Sequence, residues 1–270
     1  MPFFMAEDGV PIYYTDEGEG TPILLIHGIT MNHKMFQYNT PVLTETHRVV
    51  TMDIRGHGYS GKQEMNWTLH QVAKDVRKLI AHLNLRDVTL VGWSMGTHVI
   101  YNYFEQFGSE QLKGVVFIDM APYILKAPDW EHGMFGNLDY KTAVEVGRNI
   151  FQDRMSTLES LIPISFKGGQ LPDLATQEFW IRESMLTPDS AMVAFWLAMV
   201  GSDWRSQLSQ ISVPVLLFYG AQSIFFPTPL GKEMQTQIPN SHLVMFEQSG
   251  HAPLWEEPEL FNAELARFVG

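Results

Sequence analysis

The sequence predicts an α/β protein, a mostly parallel, doubly wound sheet with an inserted helical cap. Three features of the chain predict it. Short apolar runs recur at TPILLI, HRVVTM, VTLVGW, GVVFI, VPVLLFY and HLVMF. Segments with helical apolar spacing stand between them, and strands that are apolar throughout need cover on both faces. From about residue 122 to 205 this rhythm stops, and Met, Trp and Phe sit on helix-like stretches until strands resume at Val213.

The elements follow in order. FFMAEDGVPIYYTDEGEG reads as two short strands around a Glu-Asp-Gly turn. TPILLIHG is a strand ending in His-Gly, and HRVVTMDIRGHGYSG is a strand ending in Asp53 and a glycine-rich loop. Trp67, Leu69, Val72, Ala73, Val76, Leu79, Ile80 and Leu83 repeat at helical spacing with one buried face. VTLVGW is a strand, and the helix THVIYNYFEQFG follows from about Thr97, closed by Gly108. GVVFID, VPVLLFYG and HLVMFE are further strands, and PELFNAELARFVG is a closing helix. The expected division is a core of 1–121 with 206–270 and a cap of 122–205.

Composition excludes several function classes. A chain of 270 residues, 45% hydrophobic and 18% charged, has the balance of a folded globular protein. A formal net charge of -12 repels phosphate backbones, so nucleic acid is not an expected partner. The absence of cysteine removes disulfides, thiolate metal sites and a cysteine nucleophile. MPFFMAEDGVPIYY has neither a basic region nor a long apolar one, so no secretory leader is expected. No apolar run approaches the roughly 20 residues of a membrane span. A cytoplasmic protein is the expectation. No H-E-x-x-H or dinucleotide-binding glycine motif occurs, so neither metal nor cofactor is expected.

GWSMG, residues 92 to 96, carries the first chemical signal. Ser94 follows a strand and precedes a helix, where a sharp turn presents a nucleophile at a helix N-terminus. Gly92 and Gly96 omit the side chains that such a turn has no room for. The plainer reading is a capping serine in a strand-to-helix loop. A serine hydroxyl needs a base. His251, in EQSGHAPLWEEP, stands after the last strand at the same sheet edge. The plainer reading there is a solvated or helix-capping loop histidine. An oxyanion needs backbone N–H groups. Met95, after the nucleophile, and Ile29, in HGIT, are placed to supply them.

HGIT, DIRGHGYSG, GWSMG and SGHAP together resemble the α/β-hydrolase fold superfamily, and within it the capped esterase, lactonase and C–C hydrolase branch. The resemblance covers about residues 10–120 and 210–270. It implies acyl transfer to water through Ser94 and His251. It also implies a catalytic acid after the penultimate strand, and here the sequence departs: VPVLLFYGAQSIFFP puts Ser223 at that place. Asp119, ending GVVFID, is the alternative acid, since neighbouring strand ends lie about 4.8 Å apart. It would otherwise cap the start of the cap. Glu247, four residues before His251, is the other candidate. His98 and His57 read as packed or loop-bracing residues, Asp53 and Arg55 as loop braces, and Asp203 and Trp204 either line the site's mouth or only join cap to core.

The Met-, Phe-, Trp- and Leu-rich cap segments suit an apolar pocket or their own packing. The expected partner is therefore a small-to-medium uncharged ester, with lactones second. A ligand receptor and a cofactor-free oxygenase or perhydrolase stay open as other classes.

Overall fold

Strands that are apolar on both faces can be stable only inside a covered sheet. In the computed structural model, which describes residues 2–270, eight strands form one sheet in the order β1-β2-β4-β3-β5-β6-β7-β8. They are β1 (Phe3–Met5), β2 (Pro11–Glu17), β3 (Pro22–Ile26), β4 (Arg48–Met52), β5 (Val88–Trp93), β6 (Leu112–Ile118), β7 (Val215–Gly220) and β8 (Ser241–Phe246). β1 and β2 are antiparallel to their neighbours, and β4, β3 and β5 to β8 run parallel.

The period-2 alternation of a strand divides the interior into two layers. Leu24 and Ile26 face one core, and Ile23 and Leu25 face the other. Three helices of the first half are α1 (Thr40–Leu43), α2 (Leu69–His82) and α3 (Met95–Phe107). Val72 of α2 and Val99 of α3 fill the first layer, while Leu43 of α1 fills the second. α2 begins after Thr68, whose side chain accepts from the Gln71 N–H and so satisfies a free helix donor. α3 begins at Met95, two residues before the sequence expectation, so Ser94 itself is the cap residue.

A helical insertion follows β6. It holds α4 (Tyr140–Gln152), α5 (Arg154–Ser165), α6 (Leu174–Ser184) and α7 (Asp189–Val200). Asp139, Asp153 and Asp173 cap α4, α5 and α6 by accepting N–H bonds from Thr142, Ser156 and Thr176. α4 packs along α7, where the Trp196 indole N–H donates to the Ala143 carbonyl at 2.7 Å. These four helices fall within 122–205, the extent we propose for the cap, with 1–121 and 206–270 as the core.

After β7 come α8 (Pro229–Gln237), α9 (Pro253–Glu256) and α10 (Pro258–Val269). Met234 of α8 joins the first layer, and Leu254 and Phe261 join the second. α8 has no counterpart among the sequence expectations, because PLGKEMQTQ offers few apolar positions. No helix among the described residues is long and apolar enough to cross a membrane.

One buried ion cluster holds the loop after β4. Arg55 is bidentate to Asp75 of α2, with both contacts at 2.7 Å, and reaches Asp8 at 2.7 and 3.1 Å. Arg55 and Asp75 are almost wholly buried. Removing one member of such a group strands the other's charge. Arg55→Met should therefore lower unfolding stability by about 3–5 kcal/mol in urea titrations. A loss under about 1 kcal/mol would show that the cluster is not structural.

Candidate active site

The turn from β5 into α3 is strained at one residue. Ser94 has φ 53° and ψ -120°, a conformation that non-glycine residues seldom adopt. A Cβ on Gly96 would collide with the Ile26 carbonyl, and one on Gly92 would meet the backbone of Gly96. Side chains are thus excluded where β3, β5 and α3 converge. The Ser94 N–H is tied to the Ile118 carbonyl at 3.1 Å, and Thr97 Oγ1 donates to the Gly92 carbonyl at 2.8 Å. The turn is held from both sides, with the serine hydroxyl at the start of a helix.

His251 lies in the loop between β8 and α9. Its Nδ1 stands 2.6 Å from Asp119 Oδ2. Asp119 follows β6 immediately, is fully buried, and has φ 43°. Its N–H donates to the Phe218 carbonyl at 2.8 Å, which turns the carboxylate over the end of β7. Glu247 is exposed and does not take this place. With Nδ1–H given to Asp119, Nε2 is the ring nitrogen left for a proton from Ser94. Ser94 and His251 line the same cavity; the hydrogen bond between Ser94 Oγ and His251 Nε2 is not formed among the described residues. Such contacts commonly tighten when substrate arrives.

The histidine loop is braced at every point. The Trp93 indole N–H donates to the His251 carbonyl at 2.7 Å, and the His251 N–H donates to Ser165 of α5 at 3.0 Å. The Phe225 ring stacks on the imidazole, with centroids 4.4 Å apart. Glu256 accepts N–H bonds from Gly250 and Lys167, and Glu257 accepts from Gln248 N–H and the Ser249 hydroxyl. Burial outweighs these donors at Glu256 and pushes its carboxyl up to about 7.

The HGIT loop is pinned by two buried histidines. His27 Nε2 accepts the Ile54 N–H at 2.9 Å, so Nδ1 carries the proton given to the Gly28 carbonyl at 2.7 Å. His57 Nε2 donates to the Ile29 carbonyl at 2.7 Å. Burial lowers the pKa of His27 to about 3 and of His57 to about 4, so both rings are neutral; the Ile54 N–H sets the tautomer of His27, while at His57 the Ile29 carbonyl is the nearer of two, the Arg55 carbonyl lying 3.2 Å from Nδ1. Among the described residues neither the Ile29 nor the Met95 N–H is taken by a hydrogen bond. The sequence marks His57 as a loop brace, but its pin on the Ile29 carbonyl spans 28 residues and has no local signal.

The remaining sequence candidates lie elsewhere. His98 is fully buried, held neutral by burial with a pKa of about 4, and bonded to the Ala121 carbonyl at 3.0 Å. Asp53 accepts the His33 ring and N–H and the Tyr59 N–H, which keep its carboxyl below the usual range despite burial. Asp203 pairs with Arg205, and Trp204 stacks on Tyr101; neither lines the cavity.

The cavity measures about 480 Å³. Ile29, Trp93 and Met120 of the core and Trp180, Met192 and Trp196 of the cap give it apolar walls. Asn149, Gln152, Ser156 and Thr157, where α4 meets α5, make a polar part of its boundary.

A family model described as the alpha/beta hydrolase fold matches residues 21–258. Among curated proteins, the chain is 30% identical over 269 residues to the AB hydrolase superfamily protein YisY of Bacillus subtilis, covering 98% of each. It is 28% identical over 270 residues to a putative non-heme chloroperoxidase of Synechocystis, covering 96% of this chain and 95% of that one. Among solved structures, an esterase from Exiguobacterium antarcticum superposes with a TM-score of 0.93 at 27% identity, covering 99% of this chain and 98% of the other.

The Asp119–His251 geometry makes a direct prediction. Asp119→Asn keeps the shape but presents the wrong partner to Nδ1, so Ser94-dependent turnover should fall about 10³- to 10⁴-fold while the far-UV spectrum is unchanged. Turnover within threefold of wild type would remove Asp119 from the site.

Proposed function

The chain belongs to the alpha/beta hydrolase fold family, and on that premise we propose that it is a serine hydrolase of small-to-medium uncharged carboxylic esters. The observation that carries this reading is the 2.6 Å pairing of His251 Nδ1 with a buried carboxylate, in a cavity shared with the strained Ser94. Asp53 holds the His33 ring in the same way, so what sets His251 apart is the cavity it shares with Ser94, and a loop serine has no need of φ 53°.

In this mechanism Ser94 Oγ attacks the ester carbonyl carbon while His251 Nε2 takes its proton. The oxyanion is held by the N–H groups of Ile29 and Met95, which are preorganised by the neutral histidine pins and by the start of α3. The tetrahedral intermediate collapses, the proton passes from His251 to the leaving alkoxide, and an ester to Ser94 remains. Water repeats the sequence with His251 as base and frees the acid. Asp119 holds the imidazole tautomer and balances the imidazolium. No cofactor enters the cycle.

The apolar walls and the volume of about 480 Å³ support a substrate of modest size. Among the residues that line the cavity Arg154 is the one lysine or arginine, and it is buried and pairs with Asp189 at 2.8 Å. Lactones fit the same chemistry. A second reading, peroxide-dependent perhydrolysis by the same residues, is favoured by the relative named a chloroperoxidase. A cytoplasmic setting belongs to the proposal as well.

The test is a p-nitrophenyl ester series from acetate to octanoate. Wild type should turn over with an optimum at short or middle chain length, and Ser94→Ala should lose at least about a thousandfold. Equal rates in both proteins would overturn the reading. Release that depends on added peroxide would favour the second one.

A further inference from the structure

Ser223 stands where the sequence offered no acid, and its hydroxyl is not idle. We propose that Ser223 is a positioning residue of the active site. Its hydroxyl donates to Asp119 Oδ2, the same oxygen that pairs with His251 Nδ1, and thereby sets how strongly the carboxylate draws a proton onto His251. The assignment rests on the hydrolase reading above.

The hydrogen bonds fix the direction. Ser223 Oγ lies 2.7 Å from Asp119 Oδ2. An ionised carboxylate only accepts, so the hydroxyl must donate. The Phe226 N–H points at the same Oγ from 3.4 Å, which engages an oxygen lone pair and leaves the hydroxyl proton for Asp119. The other carboxylate oxygen has only the Gly220 N–H, at 3.4 Å. Asp119 is fully buried, so Ser223 is its one short donor besides the imidazole among the described residues. A desolvated carboxylate is sensitive to each donor it holds. Segment 223–226 thus acts on both partners at once, through the hydroxyl on the acid and through the Phe225 ring on the base.

The sign of the effect follows. A donor on Asp119 spreads its negative charge and weakens its hold on an imidazolium. Without the hydroxyl, Asp119 pulls harder and His251 keeps its proton to higher pH. Other ionisable groups surround the pair. Tyr219 of β7 gives its hydroxyl to the Met120 carbonyl, and burial raises its pKa well above the usual value. His98 of α3 is neutral. Glu256, Glu257 and Lys167 bond to the histidine loop from outside. Glu256 titrates near 7, so the reading must come from the difference between Ser223 variants, in which Glu256 is common.

The test is the pH dependence of kcat/KM for ester hydrolysis, whose acid limb reports the base of the free enzyme. Ser223→Ala should move that limb upward by about half a unit or more, and Ser223→Thr, which keeps the hydroxyl, should restore it. An unmoved limb in Ser223→Ala overturns the assignment. A second measurement stands if that variant does not fold. Ser223 Oγ already sits beside the oxygen that pairs with Nδ1, so a carboxylate at 223 has the reach to replace it. Asp119→Asn with Ser223→Asp should regain at least about tenfold over Asp119→Asn alone, while Asp119→Asn with Ser223→Asn should not. No regain overturns the assignment. Equal rates in wild type and Ser94→Ala would overturn the hydrolase reading, and this assignment with it. An unmoved limb with Ser94-dependent turnover overturns this assignment alone.

Discussion

The bond between Asp119 and His251 is the constraint on which the rest of the site depends. It joins the end of β6 to the loop after β8, and β7 lies between them. The span is possible because the loop 249–251 folds back across the end of β7. Gly220 and Gly250 permit it. A Cβ on Gly220 would collide with the Gly250 carbonyl, and one on Gly250 would strike the Phe166 backbone. Asp119 answers from the other side with its left-handed backbone. Strain at Asp119 and Ser94 is therefore concentrated where the reaction is proposed, and the packed layers on the two faces of the sheet hold it there.

The cap is tied to the same points. Ser165 at the end of α5 accepts from the His251 N–H, and Lys167 shares Glu256 with Gly250. Phe225, which stacks on the imidazole, accepts at its carbonyl from the Phe135 N–H. On the opposite side, Glu183 of α6 is buried and takes Asn32 and Lys34 of the core. His57, which pins Ile29, faces Phe195 of α7 at 5.4 Å. Seating the cap and aligning the proposed base and oxyanion loop are thus parts of one packing arrangement. The cavity walls come from both bodies, so substrate choice and alignment share the same contacts.

Much of the core was legible because its signals are local. Apolar runs such as VTLVGW become strands buried at every position, and the glycines of GWSMG mark a turn with no room for side chains. Asp119 was legible as a carboxylate at a strand end, chosen because position 223 holds no acid. The cap was legible as a helical insertion, but the bounds of its single helices were not, for a physical reason: α7 is apolar nearly all round, so its sequence shows no single face, and α5 carries Pro163. α8 has too few apolar residues to announce itself. The bond from Ser223 to Asp119 joins residues 104 apart, and the pins of His27 and His57 likewise exist only once the strands are side by side.

The proposed hydrolysis depends first on Ser94 being a nucleophile activated by its surroundings. Incubation with a fluorophosphonate followed by peptide mass mapping tests this. One phosphonyl group per chain is expected, on the peptide containing Ser94. A protein that stays unmodified, or one labelled elsewhere with Ser94 intact, would contradict it.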